Sequence, residues 1–312
     1  MGWRLEDVQT FLKVVETGGV TAAAAELKLS KSVVSKRVSD LEDALGIALL
    51  RRSTRRVVPT ERGRAFYEQM RHALGAVDEV VENVMDHSGP LNGRLRITAP
   101  MSFATLHLGP ILADFARMHP SLELAIQLDD RVLDLVSNDY DLAVRIGRLP
   151  DSSLIARKLC LSRRVVCCSP AYAKETALPT SIEEIAGHHC IDYANAHANR
   201  LWQFAPAGPD MPPRTVATHS HLVANNGELI RDMALAGLGL AVLPLFIAAD
   251  ALRSGTLVHV LPDESPLPDT IYAVYPPTRH VTRRVRTLVD HLGQRLADGA
   301  PWEQGPPGIP VD

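Results

Sequence analysis

The chain has 312 residues, 46% of them hydrophobic, and a formal net charge of −3. This small net charge conceals a basic beginning: residues 1–64 contain 12 Lys and Arg against 8 Asp and Glu, whereas residues 65–312 contain 21 against 28. No signal peptide and no long apolar run precede the first motif, which argues against a secreted or membrane-spanning protein and predicts a cytoplasmic one with reduced thiols.

The N-terminal segment predicts helices joined by a very short turn. An apolar stripe on the first helix is formed by Leu5, Val8, Phe11, Leu12 and Val15, and Gly18-Gly19 ends that helix. Thr21 is expected to cap a second helix over 22–27, whose consecutive alanines permit close packing. Lys28-Leu29 then leads directly into a third helix, and two helices joined so closely are typical of a helix-turn-helix.

The third helix, between Ser30 as N-cap and Gly46 after its last turn, is expected to have two unlike faces. Its apolar stripe is formed by Val34, Val38, Leu41 and Leu45. The opposite face carries Ser32, Ser35, Lys36 and Ser39, and short hydroxyls with a cation suit contact with bases and phosphates in a DNA major groove. Taken alone, such a pattern is more typical of an ordinary amphipathic surface helix. The neighbouring segments favour the DNA-binding interpretation.

A basic hairpin is predicted directly after this helix. Short apolar runs flank a turn region that is rich in arginine and holds no acid, with Arg51, Arg52, Arg55 and Arg56. Such a wing would place its cations beside the third helix, within reach of phosphates or a minor groove. The alternative is a solvated charged loop. The positive charge of residues 1–64 favours a nucleic-acid partner, and the acidic remainder is expected to stay off the polyanion.

One long linker helix is expected after Pro59, with Thr60 as its N-cap and Ser88-Gly89-Pro90 as its end and hinge. Its apolar residues recur at heptad-like spacing, at Phe66, Met70, Leu74, Val77, Val81 and Val84. An isolated helix with such a seam is marginal in water, so it needs a partner. We expect a second copy of the chain to supply it, because helix-turn-helix proteins usually bind two half-sites. The alternative is packing on the chain's own body.

The rest of the chain predicts α/β units, because strand and helix patterns alternate along it. The first unit has strands at 94–98, 122–128 and 142–146 and helices at 106–119 and 132–138. A second unit begins near 164–170 and includes a helix at 228–236 and a strand at 239–244, before a strand at 271–275 and a last helix at 281–296. This order predicts two doubly wound halves joined by crossing strands, the architecture of periplasmic-binding-type ligand domains.

Four segments are expected to meet at the carboxyl ends of strands, where α/β proteins bind ligands in the crevice between their halves. The candidate ligand-binding residues there are Pro100, Met101, Ser102, Phe103, Arg145, Gly147, Asp192, Tyr193, Asn225 and Asn226. Ser102 and nearby backbone amides are placed to hold a polar or anionic group, and Arg145 offers a cation. The alternatives are that Arg145 pairs with Asp141 or another acid, and that Asn226-Gly227 only caps a helix.

Catalytic motifs such as G-x-S-x-G, a Walker loop or H-E-x-x-H are absent, so we expect neither an enzyme nor a cofactor. His188-His189-Cys190 suggests metal ligands, but adjacent ligands cannot easily share one ion and no second pair has a useful spacing, so no metal is expected. Nothing in the pattern selects a reactive thiol among Cys160, Cys167, Cys168 and Cys190. The Pro- and Gly-rich tail after Asp298 is expected to be disordered.

These motifs together resemble the LysR-type transcriptional regulators. The head carries Gly19-Val20-Thr21-Ala22-Ala23-Ala24, Ser32-Val33-Val34-Ser35 and Pro59-Thr60 at matching positions, although many members have Gln where this chain has Lys31. The body carries Asp141-Leu-Ala-Val-Arg-Ile-Gly147, which is similar to one subgroup of the family, and Gly237-Leu-Gly-Leu-Ala-Val-Leu-Pro244. The resemblance covers roughly residues 3–297.

The resemblance implies an α/β protein with a winged helix-turn-helix (1–60), a linker and dimerisation helix (61–90), an effector domain (91–300) and a tail (301–312). The effector domain would divide into subdomain I, about 91–161 plus 269–300, and subdomain II, about 162–268. The residues expected at DNA are Thr21, Ser30, Lys31, Ser32, Ser35, Lys36, Arg37, Arg52 and Arg55.

In function, the resemblance implies a regulator that binds palindromic promoter DNA as a homodimer or homotetramer and contacts RNA polymerase. The family and Arg145 together suggest an aromatic or other small organic acid as effector. An alternative is a constitutive DNA-bound repressor whose body senses nothing.

Overall fold

The structure is a computed structural model that describes residues 2–52, 57–84, 89–131, 135, 137–138, 140–147, 149, 153–194, 201–208, 211–277, 281–297 and 302. The chain divides into two compact units, Met1–Ser88 and Gly89–Asp312, which we call the head and the body. The long helix after the hairpin belongs to the head.

The head contains three short helices, a hairpin and one long helix. In chain order these are α1 (Leu5–Thr17), α2 (Val20–Glu26), α3 (Lys31–Leu45), β1 (Leu50–Arg52), β2 (Val57–Pro59) and α4 (Glu61–Val84). The β1 and β2 strands pair antiparallel, as the sequence predicted. The expected ends of α3 are confirmed: Ser30 Oγ accepts a hydrogen bond from the Val33 amide at 3.3 Å, and Gly46 ends the helix with a φ of +66°. Thr60 likewise caps α4, because its Oγ1 accepts from the Gly63 amide at 2.9 Å.

Apolar side chains from the first three helices form the core of the head. Val8, Phe11, Val34 and Leu41 are fully buried there. Two expectations for this region were wrong in detail. Leu5 is 46% exposed, and Val14, not Val15, turns fully inward, because the buried stripe begins one turn later than the sequence pattern suggested.

The second helix also begins earlier than expected. Its N-cap is Gly19, which is extended and offers no side chain, and Val20 is already helical. Thr21 therefore lies within the first turn of α2 and does not cap it. A cap must sit before the first helical residue, where its oxygen can accept the free amides of the first turn.

The body is built on two five-stranded mixed sheets. The first part comprises β3 (Gly93–Ala99), α5 (Met101–Phe103), a π-helical turn (Ala104–Leu108), α6 (Gly109–Met118), β4 (Leu122–Leu128), β5 (Leu142–Ile146) and β6 (Ile155–Ser162). The second comprises β7 (Arg164–Cys168), α7 (Pro170–Glu175), a 3₁₀ helix (Glu183–Gly187), β8 (His189–Tyr193), β9 (Leu201–Phe204), β10 (Arg214–Ala217), β11 (His219–Ala224), α8 (Gly227–Leu235), β12 (Leu240–Pro244), α9 (Leu245–Arg253) and β13 (Val258–Val260). The chain ends with β14 (Asp269–Tyr275) and α10 (Arg283–Ala297).

One sheet has the order β4-β3-β5-β14-β6 and the other the order β11-β8-β12-β7-β13. In each sheet four strands run in the same direction, and one strand, β14 in the first sheet and β7 in the second, runs antiparallel between two of them. The chain passes from the first sheet to the second between β6 and β7 and returns between β13 and β14. The predicted pair of α/β halves with crossing strands is thus observed, and the antiparallel strands are the crossing ones.

The helix predicted over 106–119 starts earlier, at Met101, and runs through the π-helical turn into α6. Pro100 is the extended residue that precedes it, and Asp130 Oδ1 accepts from the Met101 amide at 2.9 Å. The sequence missed this start because the stabilising partner comes from a distant loop. The predicted helix over 132–138 falls largely outside the described residues, which include only 135, 137 and 138 of it.

The expectation of a disordered tail was wrong at one position. Trp302 is only 3% exposed and belongs to the main apolar core of the body. A large aromatic ring gains enough from burial to be packed at a position where the composition predicts disorder. Residues 303–312 lie outside the described part of the chain.

Candidate nucleic-acid interface and ligand cavity

The exposed face of α3 carries most of the residues that were predicted to contact DNA. Lys31, Ser32 and Lys36 are exposed, and Ser35 is half-buried. Ser30 Oγ lies 2.9 Å from Ser32 Oγ and also caps the helix, so the Ser30 hydroxyl is already engaged within the head. The helix therefore presents two lysines and a serine hydroxyl to a partner, while Ser30 and Gly46 cap its two ends.

Arg37 is placed differently from these residues. It is half-buried, its Nη2 lies 2.5 Å from Glu6 Oε2, and its Nη1 donates to Thr10 Oγ1 at 3.4 Å. Both partners belong to α1, so Arg37 holds α3 against α1. Its side chain is engaged inside the head and is not presented with those of Lys31 and Lys36.

A residue that sequence reasoning missed joins α3 to the hairpin. Glu42 Oε1 accepts hydrogen bonds from the backbone amides of Leu49 at 2.7 Å and Leu50 at 2.9 Å. Thr60 Oγ1 also donates to Ala48 O at 2.9 Å. These bonds fix where the wing leaves the third helix. The sequence predicted the hairpin, but only the folded structure shows that Glu42 is the acid that accepts hydrogen bonds at its start.

Most of the predicted wing cations fall outside the described residues. Arg51 is exposed, whereas the Arg52 side chain and all of Arg55 and Arg56 lie outside the described residues. Close to the hairpin, the backbone of α4 comes so near to the Leu49 carbonyl that a Cβ at Gly63 would lie 1.9 Å from it. Only glycine fits this crossing.

The apolar seam of α4 divides into two parts. Phe66, Met70 and Leu74 pack against the core of the head, and the ring centroids of Phe66 and Phe11 are 5.7 Å apart. Val77 is 50% exposed, and the side chains of Val81 and Val84 lie outside the described residues. The first half of the seam therefore stabilises its own head, which neither interpretation of the sequence had proposed, and Val77 remains exposed.

A cavity of about 470 Å³ opens in the body at the carboxyl ends of β3, β5, β8 and β12. Seven of the ten predicted ligand-binding residues line it: Pro100, Ser102, Phe103, Arg145, Gly147, Asp192 and Tyr193. Met101, Asn225 and Asn226 are not among the described lining residues. Asn226 still acts on the cavity, because its Nδ2 donates to Ser102 Oγ at 3.3 Å while its Oδ1 caps α8.

Arg145 provides a half-buried cation at the cavity wall. Its Nη1 donates to main-chain oxygens of Asp129 at 3.2 Å and Val144 at 3.4 Å, whereas its buried Nη2 has no hydrogen-bond partner among the described residues. Burial lowers the pKa of this guanidinium, and the carboxylates of Asp129 and Asp130 act against that shift. Asp141, which the sequence offered as an alternative partner of Arg145, accepts at Oδ2 from the Arg96 amide at 2.7 Å.

Three more charged residues line the cavity, and the sequence did not single them out. Arg164 Nη1 lies 3.8 Å from Asp269 Oδ2, and the buried Arg164 Nε has no described hydrogen-bond partner. Asp130 is the third, and burial raises the pKa of its carboxyl, although the bond from the Met101 amide opposes this. These residues come from β7, β14 and the loop after β4, so no local pattern could have grouped them.

Asp192 has a structural place in the wall. It is buried, and its two oxygens accept from Trp202 Nε1 and Thr218 Oγ1, each at 2.8 Å. Both of its oxygens are therefore engaged within the protein. Trp202 itself lines the cavity, as do the apolar side chains of Ile230, Val242, Phe246 and Ile247. The cavity thus combines two incompletely paired arginines with a largely apolar wall.

Cys167, Cys168 and Cys190 are buried and show no feature of reactive thiols. Burial raises the pKa of Cys167 and Cys168, the latter to about 11, and that of Cys190 to about 12, which keeps these thiols protonated. Among the described residues no group of His, Cys, Asp and Glu could hold a metal ion. Within the same part of the chain, no helix is both long and apolar enough to cross a membrane.

Two family models match the chain. A bacterial regulatory helix-turn-helix of the lysR family matches residues 5–64, and a LysR substrate binding domain matches residues 88–297. The chain is 36% identical over 294 residues to the transcriptional regulator PtxR of Pseudomonas aeruginosa, covering 94% of this chain and 93% of that protein. It is 33% identical over 298 residues to the regulator DmlR of Escherichia coli K12, covering 95% and 96%.

Two full-length structures have the same architecture. CrgA, a LysR-type regulator from Neisseria meningitidis, matches with a TM-score of 0.58 and 30% identity over 94% of this chain and 99% of its own. The virulence activator AphB of Vibrio cholerae matches with a TM-score of 0.58 and 27% identity over 93% and 98%. These likenesses extend over both the head and the body.

Proposed function

Because the chain belongs to the family of LysR-type transcriptional regulators, we propose that the exposed face of α3 binds promoter DNA and that a small organic acid in the body cavity regulates the outcome. The protein is a DNA-binding regulator with an effector domain, and it is not an enzyme. The observation that carries the proposal about the effector is a cavity lined by two half-buried arginines, each of which has one buried nitrogen, Arg145 Nη2 or Arg164 Nε, without a described hydrogen-bond partner.

At the DNA, Lys31, Ser32, Ser35 and Lys36 enter the major groove, with the serines near base edges and the lysines near phosphates. Thr21, at the start of α2, lies against the sugar-phosphate backbone. The wing cations Arg51, Arg52 and Arg55 contact phosphates or the adjacent minor groove. Ser30 and Arg37 support this interface without contacting DNA themselves, since Ser30 caps α3 and Arg37 joins α3 to α1.

Val33 adds an apolar contact that the sequence analysis did not propose. It lies in the first turn of α3 between Lys31 and Ser35 and is 39% exposed. An apolar side chain at such a point can contact the methyl group of thymine in the major groove. We place Val33 with the residues that select bases.

In the cavity, a carboxylate of the effector accepts hydrogen bonds from Arg145 Nη2 and Arg164 Nε. A buried donor without a partner costs roughly 1–3 kcal/mol, and a carboxylate relieves that cost with charge-assisted bonds. Asp130 and Asp269 limit the net positive charge, which disfavours a highly charged anion. The wall formed by Phe103, Ile230 and Phe246 takes the apolar part of the acid. A small aromatic or aliphatic organic acid has these properties.

The chain acts as a homodimer or homotetramer on palindromic sites. The seam from Val77 onward is the part of α4 that a second copy covers, because Phe66, Met70 and Leu74 pack on their own head. The remaining contacts of a tetramer would come from the body. Bound near a promoter, in the cytoplasm, the protein would act through RNA polymerase.

The DNA-binding proposal is tested with the purified full-length chain and the DNA upstream of its own gene. Lys36→Gln is expected to weaken binding and to lower the slope of log K against log salt by about 0.9, the value for one phosphate contact. Lys174→Gln, an exposed lysine on α7 of the body, is the matched control and should change neither quantity. Equal losses in both variants, or binding without sequence selectivity, would contradict the proposal.

The effector proposal is tested by thermal unfolding with sodium benzoate and sodium succinate as aromatic and aliphatic acids. An acid present at about 100 times its Kd should add about 2.7 kcal/mol to the unfolding free energy. Arg145→Gln should remove this stabilisation, whereas Arg117→Gln, an exposed arginine of α6, should retain it. If no small carboxylate stabilises the wild-type chain, the alternative of a constitutive DNA-bound repressor is favoured.

A further inference from the structure

The C-terminal segment returns to the body at Trp302, five residues beyond the end of α10 at Ala297. Its indole ring is buried in a cluster of aromatic side chains. The ring centroids lie 4.1 Å from His107, 5.7 Å from Phe103 and 6.2 Å from Phe246. Because Trp302 Nε1 is buried without a hydrogen-bond partner among the described residues, ring packing holds the side chain in place.

Two rings of this cluster also form the wall of the cavity. Phe103 and Phe246 both line it, and they meet edge to face with centroids 5.4 Å apart. Trp302 is not among the described residues of the lining, so it contacts these rings outside the cavity. Three layers therefore follow one another: the cavity, the two phenylalanines and the indole. Since protein interiors are close-packed, the position of the indole sets the position of the two rings.

The backbone around this cluster is irregular at the same place. Phe103 ends α5, and the π-helical turn from Ala104 to Leu108 follows it. His107 in that turn makes a hydrogen bond from its Nε2 to Phe246 O at 2.8 Å and packs against Trp302 with the two rings tilted by 51°. Turns of the π type are rare and are frequent at functional sites. The turn directs His107 between the wall of the cavity and the C-terminal segment.

We propose that Trp302 is a positioning residue of the effector cavity, which supports Phe103 and Phe246 from behind and thereby couples the C-terminal segment to the apolar wall. The wall would thus have two sides, one offered to the effector and one occupied by the chain's own indole. Loss of the indole leaves a space behind Phe103 and Phe246 into which both rings can move. The segment after α10 then affects the fit of the effector without touching it.

The test is hydrogen exchange of the full-length chain followed by mass spectrometry. In Trp302→Ala, peptides covering 101–108 and 245–249 are expected to exchange about tenfold faster, because local opening there becomes easier. Trp302→Phe keeps a ring in the space and should restore most of the protection. Leu288→Ala removes a fully buried side chain of α10 and is the matched control for a general loss of core packing. It should leave both segments protected.

Added indole provides a second measurement, because a small aromatic molecule can refill the vacated space. Indole at millimolar concentration is expected to slow exchange of the two segments in Trp302→Ala and to have no such effect in Leu288→Ala. The proposal is overturned if Trp302→Ala leaves both segments as in the wild type. It is equally overturned if Leu288→Ala exposes them to the same extent. No effector is needed, so these outcomes do not depend on the acid proposed above.

Discussion

The head and the body of this regulator build their sites in opposite ways. In the head, the proposed DNA contacts come from neighbouring turns of α3, and the rest of the unit fixes that helix in place through Glu6, Glu42 and Ser30. In the body, the cavity takes residues from Pro100 to Asp269, and each wall belongs to a different element. A change in the head can therefore remove support while every contact residue stays intact. In the body, most changes alter the site and its support together, and the proposed role of Trp302 is the exception.

The largest expected effect is confined to the head. Gly63→Ala would place a methyl group 1.9 Å from the Leu49 carbonyl, a backbone atom that cannot rotate away. We expect a loss of about 3 kcal/mol in the stability of the head, at the upper end of the range for overpacking. Binding to DNA should be lost with it. Thermal unfolding and DNA titration of the full-length chain measure both.

Gly75→Ala is the control for this change, since a Cβ at Gly75 meets no atom within 4 Å and lies in the same helix. It should stabilise α4 by about 0.5–1 kcal/mol, because alanine favours the helix more than glycine does. The contrast between head and body breaks down if Gly63→Ala also removes stabilisation of the body by a small carboxylate.

Glu42→Ala has the next largest expected effect. It tests whether a residue that does not contact DNA supports binding by holding the hairpin against α3. The variant leaves the Leu49 and Leu50 amides without their acceptor, which should cost about 2 kcal/mol of stability and release the hairpin from α3. Affinity should fall alike on all DNA sequences. Glu42→Gln keeps an oxygen at the same point and should recover most of both quantities. A loss of preference at one base pair would instead indicate that Glu42 contacts DNA.

Arg55→Ala examines the tip of the wing, which lies outside the described residues. If Arg55 meets a phosphate, affinity should drop on every sequence and the salt slope should flatten by about 0.9. Titrations at several salt concentrations on specific and unrelated DNA measure this. A loss restricted to one base position would assign Arg55 to base recognition.

The smallest expected effect concerns pH and the body. Burial lowers the pKa of His107, so the unfolded chain binds a proton near pH 6.5 before the folded chain does. The contribution of this residue to stability is therefore present above pH 6.5 and declines as the pH falls below it. His107→Gln should make the pH dependence of the unfolding free energy shallower between pH 7 and pH 5. An unchanged dependence would mean that the pKa of His107 is the same in the folded and the unfolded chain.

The sequence predicted most accurately what depends on neighbours within a few residues. Ser30 and Gly46 bound α3 as expected, Thr60 begins α4, and the arginine-rich segment forms a hairpin. These features follow from helix caps, apolar periodicity and turns, which are all local in the chain. The predicted cap Thr21 was wrong by two positions because Gly19 begins α2 without a side-chain cap.

Distant contacts decided the rest. The loops after the strands could be chosen as a candidate site from the general rule for α/β folds, and seven of ten residues line the cavity. The rule does not say which charged groups meet there, so Asp130 and Arg164 were missed. The sequence also gave no reason to expect that Trp302 is buried, because it stands in a tail whose composition predicts disorder.

By itself, then, the amino-acid sequence determined the family, the α/β character of the body and the ends of α3, because periodicity and capping act over one or two turns. Only the tertiary structure decided that Arg37 braces α3, that half of the linker seam is used within the head, and that an indole from the C-terminal segment backs the cavity. Each of these depends on burial between residues far apart in the chain, where close packing and the cost of unpaired polar groups select the partner.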